Sequence, residues 1–200
     1  MARLTRDESQ AITRERILQA AGDVVARDGY DGASVDRIAD AAGYSKGAFY
    51  SNFSSKEDVL NRLLESHAGR DVIDLTAALE GLEKTDEIID AVARWSDGRA
   101  AELKWGIIAI EFLRRARRDG SLSDRQRQPF IDQWRDVGNL LMSRLFPDGS
   151  RPIDPVDLGG MILDLTYGGI SVFLEANSSG QMVRQILTVI VAAHDRQPSA

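Results

Sequence analysis

Apolar residues recur every three or four positions along most of the chain, and the alternation typical of strands is scarce. All five prolines lie between residues 129 and 198. The pattern predicts an all-α fold of about nine helices. A first helix is predicted near residues 13–27. Short helices follow within residues 34–53. Further helical segments are predicted near residues 68–80, 85–98, 100–118, 122–146, 155–177 and 180–194.

Residues 34–53 have the organisation of a helix-turn-helix. Ser34 is the predicted N-cap of one short helix, Gly43 supplies a tight turn, and Ser45 is the predicted N-cap of a second short helix. The helix near residues 13–27 adds the third wall of a three-helix cluster. This arrangement is typical of proteins that place one helix in the major groove of DNA.

Two more caps define the ends of this module. Gly29 is the predicted C-terminal cap of the first helix. Ser54 and Glu57 have the spacing of a capping box for a fourth helix. We therefore predict a helix-turn-helix DNA-binding domain over residues 1–54, followed by a larger helical domain for effector binding and dimerisation over residues 55–200.

The exposed side of the second short helix carries groups that suit DNA. The candidates are Ser45, Lys46, Gly47, Tyr50, Ser51 and Asn52, with Tyr44 in the turn before them. Lys46 can donate to guanine O6 or N7, and Asn52 can pair with adenine or bond a phosphate. Tyr50 can place its hydroxyl on a phosphate oxygen. The alternative interpretation is an ordinary helical hairpin whose exposed side chains are solvated.

Net charge does not favour nucleic acid. The chain carries −6, and residues 1–60 hold eight Lys and Arg against ten Asp and Glu. Binding must then depend on where the donors lie. Thr13 and Ser34, at predicted helix starts, can offer backbone N–H groups to phosphates without positive charge, and Lys56 opens the fourth helix.

A family resemblance adds to this interpretation. The run 43–60, together with residues 16–18, 29–30 and 34–39, resembles the signature of TetR/AcrR-family transcriptional regulators over about residues 13–64. The resemblance implies a homodimer that binds a palindromic operator on double-stranded DNA and releases it when a small molecule binds the C-terminal domain. Asn52 departs from the pattern, because many members carry His at that position.

The resemblance also implies particular contacts. Base contacts are expected near Ser45, Lys46, Gly47 and Tyr50. Phosphate contacts are expected near Thr13, Ser34, Tyr50 and Lys56. Ligand binding among the later helices is expected to shift the fourth helix and separate the two reading helices of the dimer.

Other function classes find little support. Cysteine is absent, which excludes disulfides and thiolate catalysis. His67 and His194 are far apart, so we predict no metal and no cofactor. No phosphate-binding glycine loop and no H-E-x-x-H motif occur, so we do not expect an enzyme. No apolar run approaches the roughly 18 residues that cross a bilayer, and the N-terminus is polar, so we expect a cytoplasmic protein without membrane contact.

Aromatic residues of the C-terminal two thirds predict an effector pocket for an apolar or aromatic molecule. The candidates are Trp95, Trp105, Phe112, Phe130, Trp134 and Tyr167. Arg94, Glu102 or Gln133 can orient polar groups of the ligand. The alternative for each aromatic side chain is packing in the core.

The last two long helices predict a dimer interface. The candidates are Gly160, Leu163, Tyr167, Val183, Ile186, Leu187 and Ile190. The glycine pair at 159–160 permits close helix approach, although the same apolar stripe can pack against the domain's own core. The basic run 114–118 is either a nucleic-acid patch or a set of arginines that suits a helix C-terminus and solvent.

The function expected from these observations is a ligand-responsive repressor. An activator, or a regulator controlled by a protein partner, has the same DNA-binding module and stays open as an alternative. Repressor and activator differ in where the operator lies relative to a promoter, which the chain does not encode.

Overall fold

A computed structural model describes residues 5–118, 120, 123–168 and 178–196. These residues form nine helices and no strand, so the prediction of an all-α fold is confirmed. In chain order they are α1 (Arg6–Gly32), α2 (Val35–Ala42), α3 (Lys46–Tyr50), α4 (Lys56–Ala78), α5 (Thr85–Ala100), α6 (Leu103–Arg118), α7 (Asp124–Leu145), α8 (Pro155–Tyr167) and α9 (Ser179–Asp195). The part of the predicted segment 155–177 beyond residue 168 lies outside the described residues.

The first helix begins seven residues earlier than predicted. Thr5 is its N-cap: the Thr5 hydroxyl accepts from the Glu8 amide at 3.2 Å, and the Glu8 carboxylate accepts from the Thr5 amide at 2.7 Å. This capping box fixes the start at Arg6. Gly29 has a φ of 71° and interrupts the helical geometry before the end of α1, as a C-terminal glycine does.

The fourth helix also differs from its prediction. It is a single helix over Lys56–Ala78, although separate segments were expected before and after residue 68. Its cap is displaced by one residue, because the Ser55 hydroxyl accepts from the Asp58 amide at 3.1 Å. The Asp58 carboxylate accepts from the Ser54 amide at 3.0 Å. Ser55 and Asp58 therefore close the first turn in place of Ser54 and Glu57.

The chain packs as two compact units. Unit 1 comprises Met1–His67 and Ile107–Gln126, and unit 2 comprises Ala68–Gly106 and Arg127–Ala200. Helix α4 contributes residues to both. This packing does not test the functional division at residue 54, which stays a prediction.

Unit 1 has an apolar core that fixes the short helices. Ile17 and Val24 of α1, Ile38 of α2 and Phe49 of α3 are fully buried. The rings of Phe49 and Phe53 lie 5.8 Å apart between centroids. Burying each such side chain contributes about 1.5–3 kcal/mol, which is what holds a five-residue helix in place.

Unit 2 is built on unusually close helix contacts. A Cβ added at Gly138 would lie 1.7 Å from the Pro155 carbonyl oxygen, and one at Gly159 would lie 1.8 Å from that of Trp134. Helices α7 and α8 thus touch backbone to backbone, which only glycine permits. The same face brings Gly160 against the Trp134 ring. These glycines serve packing within the chain.

Several predicted dimer residues therefore belong to the chain's own core. Leu163, Val183 and Leu187 are buried in the apolar cluster of unit 2, and Ile186 and Ile190 are partly buried against it. Tyr167 is occupied by a hydrogen bond to Asp71. The alternative that the apolar stripe of the last helix packs inward is the one observed for Val183 and Leu187. None of the described helices is both long and apolar enough to cross a membrane.

Candidate nucleic-acid interface

Local hydrogen bonds set the helix-turn-helix. The Ser34 hydroxyl accepts from the Arg37 amide at 3.2 Å and begins α2. Gly43 adopts the left-handed conformation with φ 75° and ends it. The Ser45 hydroxyl accepts from the Ala48 amide at 3.2 Å and begins α3. All three predicted caps are confirmed.

The short helix α3 presents one buried and one exposed side. Phe49 is buried, and Ala48 is half-buried behind it. The exposed residues are Ser45, Lys46, Gly47, Tyr50 and Ser51. A Cβ at Gly47 would meet nothing closer than the Ser45 hydroxyl oxygen at 3.7 Å, so this backbone is open to an approaching molecule. The surface has the shape and donors expected of a recognition helix.

Lys46 is held by an acid of the neighbouring helix. Its ammonium nitrogen lies 2.9 and 3.0 Å from the two carboxylate oxygens of Asp36. The hydrogen bond and charge of Asp36 raise the pKa of Lys46. The Lys46 side chain is nevertheless 55% exposed. Exposed ion pairs are weak, so a phosphate or a guanine edge can compete with Asp36 for this lysine.

Tyr44 and Thr13 meet across the turn. A hydrogen bond with Thr13 and the nearby Arg16 charge lower the pKa of the Tyr44 hydroxyl. The Thr13 hydroxyl itself donates to the Ser9 carbonyl at 2.9 Å. Because α1 begins at Arg6, Thr13 lies inside the helix, and its amide is not one of the unpaired groups of a helix start. The predicted amide–phosphate contact at Thr13 is therefore wrong.

The polar groups at the end of α3 bond inward. The Asn52 amide nitrogen donates to the Ala48 carbonyl at 2.8 Å, and its Oδ1 is buried without a hydrogen-bond partner among the described residues. The Ser51 hydroxyl donates to the Gly47 carbonyl at 2.9 Å. Asn52 must rotate before it can meet a base or a phosphate, whereas Ser51 stays exposed.

Lys56 contacts the backbone at the end of α1 and just beyond it. Its ammonium donates to the carbonyls of Tyr30 at 2.7 Å and Ala33 at 2.8 Å, and lies 4.0 Å from the centre of the Tyr30 ring. Partial burial lowers its pKa. In this arrangement Lys56 joins the start of α4 to the end of α1, and its phosphate contact stays a prediction.

The predicted pocket aromatics do not form one group. Phe112 is buried in unit 1, whereas the others belong to unit 2. Trp95, Trp134 and Tyr167 pack against the core of unit 2, and Phe130 is half-buried. Trp105 has Arg70 at 5.6 Å and Lys104 at 5.7 Å from its ring centre. Of the polar candidates, Gln133 alone donates to Asp71.

Sequence reasoning missed a buried polar cluster in unit 2. Asp71 on α4 is fully buried and accepts from the Tyr167 hydroxyl at 2.9 Å and from Gln133 Nε2 at 2.7 Å. Arg99 Nε lies 2.9 Å from its Oδ1. Burial raises the pKa of Asp71 to about 6, although Tyr167 and Arg99 oppose the rise. The cluster joins α4, α5, α7 and α8. Among the described residues, no group of three or more acids and histidines suits a metal ion.

Fold and site together define the class: an all-helical protein with a helix-turn-helix in its first unit. The sequence signature described as "Bacterial regulatory proteins, tetR family" matches residues 17–63. Over residues 17–63, about a quarter of its length, the chain is therefore similar to TetR-family regulators.

Relatives agree over different lengths. The HTH-type transcriptional regulator SrpR of Pseudomonas putida is 38% identical over 89 residues, which cover 44% of this chain and 41% of SrpR. The chain thus matches less than half of SrpR. The HTH-type transcriptional repressor AcnR of Corynebacterium glutamicum is 26% identical over 177 residues, covering 86% of this chain and 81% of AcnR.

Solved structures share the fold. FadR from Bacillus subtilis in complex with stearoyl-CoA superposes with a TM-score of 0.68 and 18% identity, covering 89% of this chain and 97% of FadR. At this identity the likeness concerns the fold alone.

Proposed function

We propose that this protein is a transcriptional repressor that binds a palindromic operator as a homodimer. The observation that carries the proposal is the exposed face of α3, which we call the reading face. It has an open backbone at Gly47 and the donors of Ser45, Lys46 and Tyr50. The repressor AcnR supports the direction of control. An activator would use the same face and differ only in where its operator lies.

In the proposed binding to DNA, Lys46 exchanges its protein partner for a base. Lys46 leaves Asp36 and donates to a guanine edge, and the Tyr50 hydroxyl contacts a phosphate oxygen. Ser34 lies exposed at the start of α2 for a further phosphate. With so few cations, neutral donors must supply a large share of the contacts, and the salt dependence of binding should be shallow for this class.

The proposed effector is a small apolar or aromatic molecule bound in unit 2. Support comes from the half-buried aromatic side chains there, which are Trp95, Trp105, Phe130, Trp134 and Tyr167. The acyl chain of the stearoyl-CoA in FadR is an apolar ligand on the same fold. Because α4 is one helix shared by both units, a ligand that shifts α4 in unit 2 also moves its start in unit 1.

The proposed dimer face is a groove between α8 and α9. It has a volume of about 500 Å³ and is lined by Met161, Asp164, Leu165, Met182, Gln185, Ile186 and Val189. Val189 is 59% exposed and shares this lining with four other apolar side chains, a grouping of the kind that marks interaction sites. Val189→Glu is expected to give a monomer in light scattering. Thr188→Glu, at the next exposed position, is the control that keeps the dimer.

The experiment that tests the proposed function is selection from a random pool of duplex DNA at one stated salt concentration. Enrichment of a palindrome with half-sites about one helical turn apart supports a dimeric reader. If folded, ligand-free protein enriches no sequence, the proposal is wrong. The enriched duplex then serves as the probe for screening effectors that release it.

A further inference from the structure

The end of α1 and the last turns of α6 enclose a cavity within unit 1. Its volume is about 290 Å³, and its lining consists of Tyr30, Asp31, Glu111, Arg114, Arg115 and Arg118. A water molecule takes up about 30 Å³ of liquid, so the cavity is large enough for a small polyatomic ion. The basic run of α6, which the DNA-reading face does not use, supplies half of this lining.

One carboxylate stands between two of the arginines. Asp31 Oδ1 accepts from Arg115 at 3.0 Å, and Asp31 Oδ2 accepts from Arg118 at 2.8 Å. The Arg118 hydrogen bond is the main cause of the lowered pKa of Asp31. Two guanidinium groups thus hold one oxyanion through separate oxygens, the geometry in which arginines bind carboxylates and phosphates.

Further positive charge surrounds this pair. Arg114 has its ion pair with Glu111 at 3.5 Å, longer than a hydrogen bond, and its side chain is 71% exposed. The Tyr30 ring has Lys56 Nζ at 4.0 Å and Arg115 Cζ at 5.7 Å from its centre. The lining holds three arginines against two acids, so the cavity has a net positive charge that Asp31 neutralises only in part.

We propose that this cavity binds a small multivalent oxyanion of the pyrophosphate type, which takes the place of the Asp31 carboxylate on Arg115 and Arg118. Asp31 is the internal competitor, with one negative charge where the ligand carries several. Binding releases Asp31, which lies where α1 joins α2, from α6. The site is separate from the reading face and does not depend on the proposed repressor function.

The test is titration of the full chain with pyrophosphate at low ionic strength by calorimetry. Arg118→Gln is expected to weaken binding about fivefold, because one charge-assisted contact at a partly exposed site is lost. Asp31→Asn is expected to strengthen binding by a similar factor, because the competitor loses its charge. Opposite changes in affinity from the two partners of one ion pair indicate a binding site, because a loss of structure would weaken binding in both variants.

Matched controls measure diffuse attraction. Arg62, like Arg118, pairs with an aspartate at a partly exposed position, so Arg62→Gln removes the same charge elsewhere in unit 1. Asp40→Asn, at an exposed aspartate of α2, is the corresponding control for Asp31→Asn. Absence of binding, or equal effects of variant and control, overturns the proposal. Arg114→Gln is a second variant, since no described contact of Arg114 is shorter than 3.5 Å. Unchanged pyrophosphate affinity in both Arg114→Gln and Arg118→Gln also overturns the proposal.

Discussion

The reading face of unit 1 and the Asp71 cluster of unit 2 are both built from an acid and a base, with opposite consequences. The Lys46–Asp36 pair is more than half exposed on both sides, so water or DNA can replace either partner. Asp71 is fully buried and contacts three helices besides its own. Exposure makes a pair exchangeable and suited to recognition, whereas burial makes it a fixed part of the fold.

Glycine shows the same contrast. A Cβ at Gly47 on the reading face would make only an ordinary contact, 3.7 Å from the Ser45 hydroxyl oxygen, whereas one at Gly159 in unit 2 would lie 1.8 Å from the Trp134 carbonyl oxygen. Gly47 lets another molecule approach the backbone, whereas Gly159 lets two helices of the same chain pack closely. If unit 1 is open and unit 2 closed in this sense, substitutions in the two units should have different effects.

The largest effect is expected at Gly159. The methyl group of Gly159→Ala would lie 1.8 Å from the Trp134 carbonyl oxygen, so α7 and α8 must separate. We expect the free energy of unfolding to fall by about 3 kcal/mol, because backbone cannot rotate away as a side chain can. Urea unfolding followed by circular dichroism measures the change.

Gly98→Ala is the matched control in unit 2. It lies within α5, and nothing stands within 4 Å of the added methyl group. Alanine should raise the free energy of unfolding there by up to about 1 kcal/mol. Similar changes in the free energy of unfolding for the two variants would show that α7 and α8 are not in close contact. Unit 2 would then not be closed in this sense.

The second prediction concerns the pH dependence of unit 2. Burial raises the pKa of Asp71 to about 6, above the value of about 4 in an unfolded chain. Between those values the folded state binds the extra proton, so stability falls as pH rises. Relative to Asp71→Asn, the wild type should lose about 2–3 kcal/mol of unfolding free energy from about pH 4 to about pH 7. Urea unfolding at each pH measures the difference.

Asp132→Asn is the control for this profile. Asp132 pairs with Arg135 on the surface of unit 2 and is about half exposed, so its variant should follow the wild-type profile. A difference between wild type and Asp71→Asn that stays constant with pH would mean that Asp71 is ionised over the whole range, and its burial would carry no proton linkage.

Unit 1 was the more predictable part because its signals act over three or four residues. Ser34, Gly43 and Ser45 each bond within one turn, and each was placed correctly. Where two candidates stood side by side, as Ser54 and Ser55 do, the sequence did not distinguish them. The Thr5–Glu8 capping box is itself a local signature, and it predicts the true start of α1 at Arg6.

Contacts between distant residues had no such signal. Asp71 bonds to Gln133 and Tyr167, which are 62 and 96 residues away. Lys56 bonds to Tyr30, 26 residues before it, a contact that no local pattern around Lys56 predicts. A pattern of single residues predicts which side of a helix is apolar, but it does not predict which distant helix covers that side.

The third prediction separates the open reading face from the rest of the surface. Lys46→Gln should weaken operator affinity about tenfold and reduce the dependence of binding on salt by about one released counterion. The fold should be unchanged, because the Lys46–Asp36 pair is exposed. Fluorescence anisotropy with the selected duplex at several salt concentrations measures both quantities.

Lys84→Gln is the control for Lys46→Gln. Lys84 pairs with Glu87 on the exposed surface of unit 2, so the same charge is lost far along the chain from α3. Its affinity and salt dependence should match the wild type. Equal losses in both variants would mean that overall charge, and not the reading face, determines binding.

The smallest effect is expected at Lys56, which makes a partly buried contact within unit 1. Lys56→Gln removes an ammonium that bonds two carbonyls, so unfolding free energy should fall by about 1 kcal/mol, since solvent screens a partly exposed group. The salt dependence of operator binding should stay at the wild-type value, because the ammonium faces Tyr30 and Ala33. A reduced salt dependence with unchanged urea stability would return Lys56 to the phosphate contact that the family implies, and would extend the open surface of unit 1 to the start of α4.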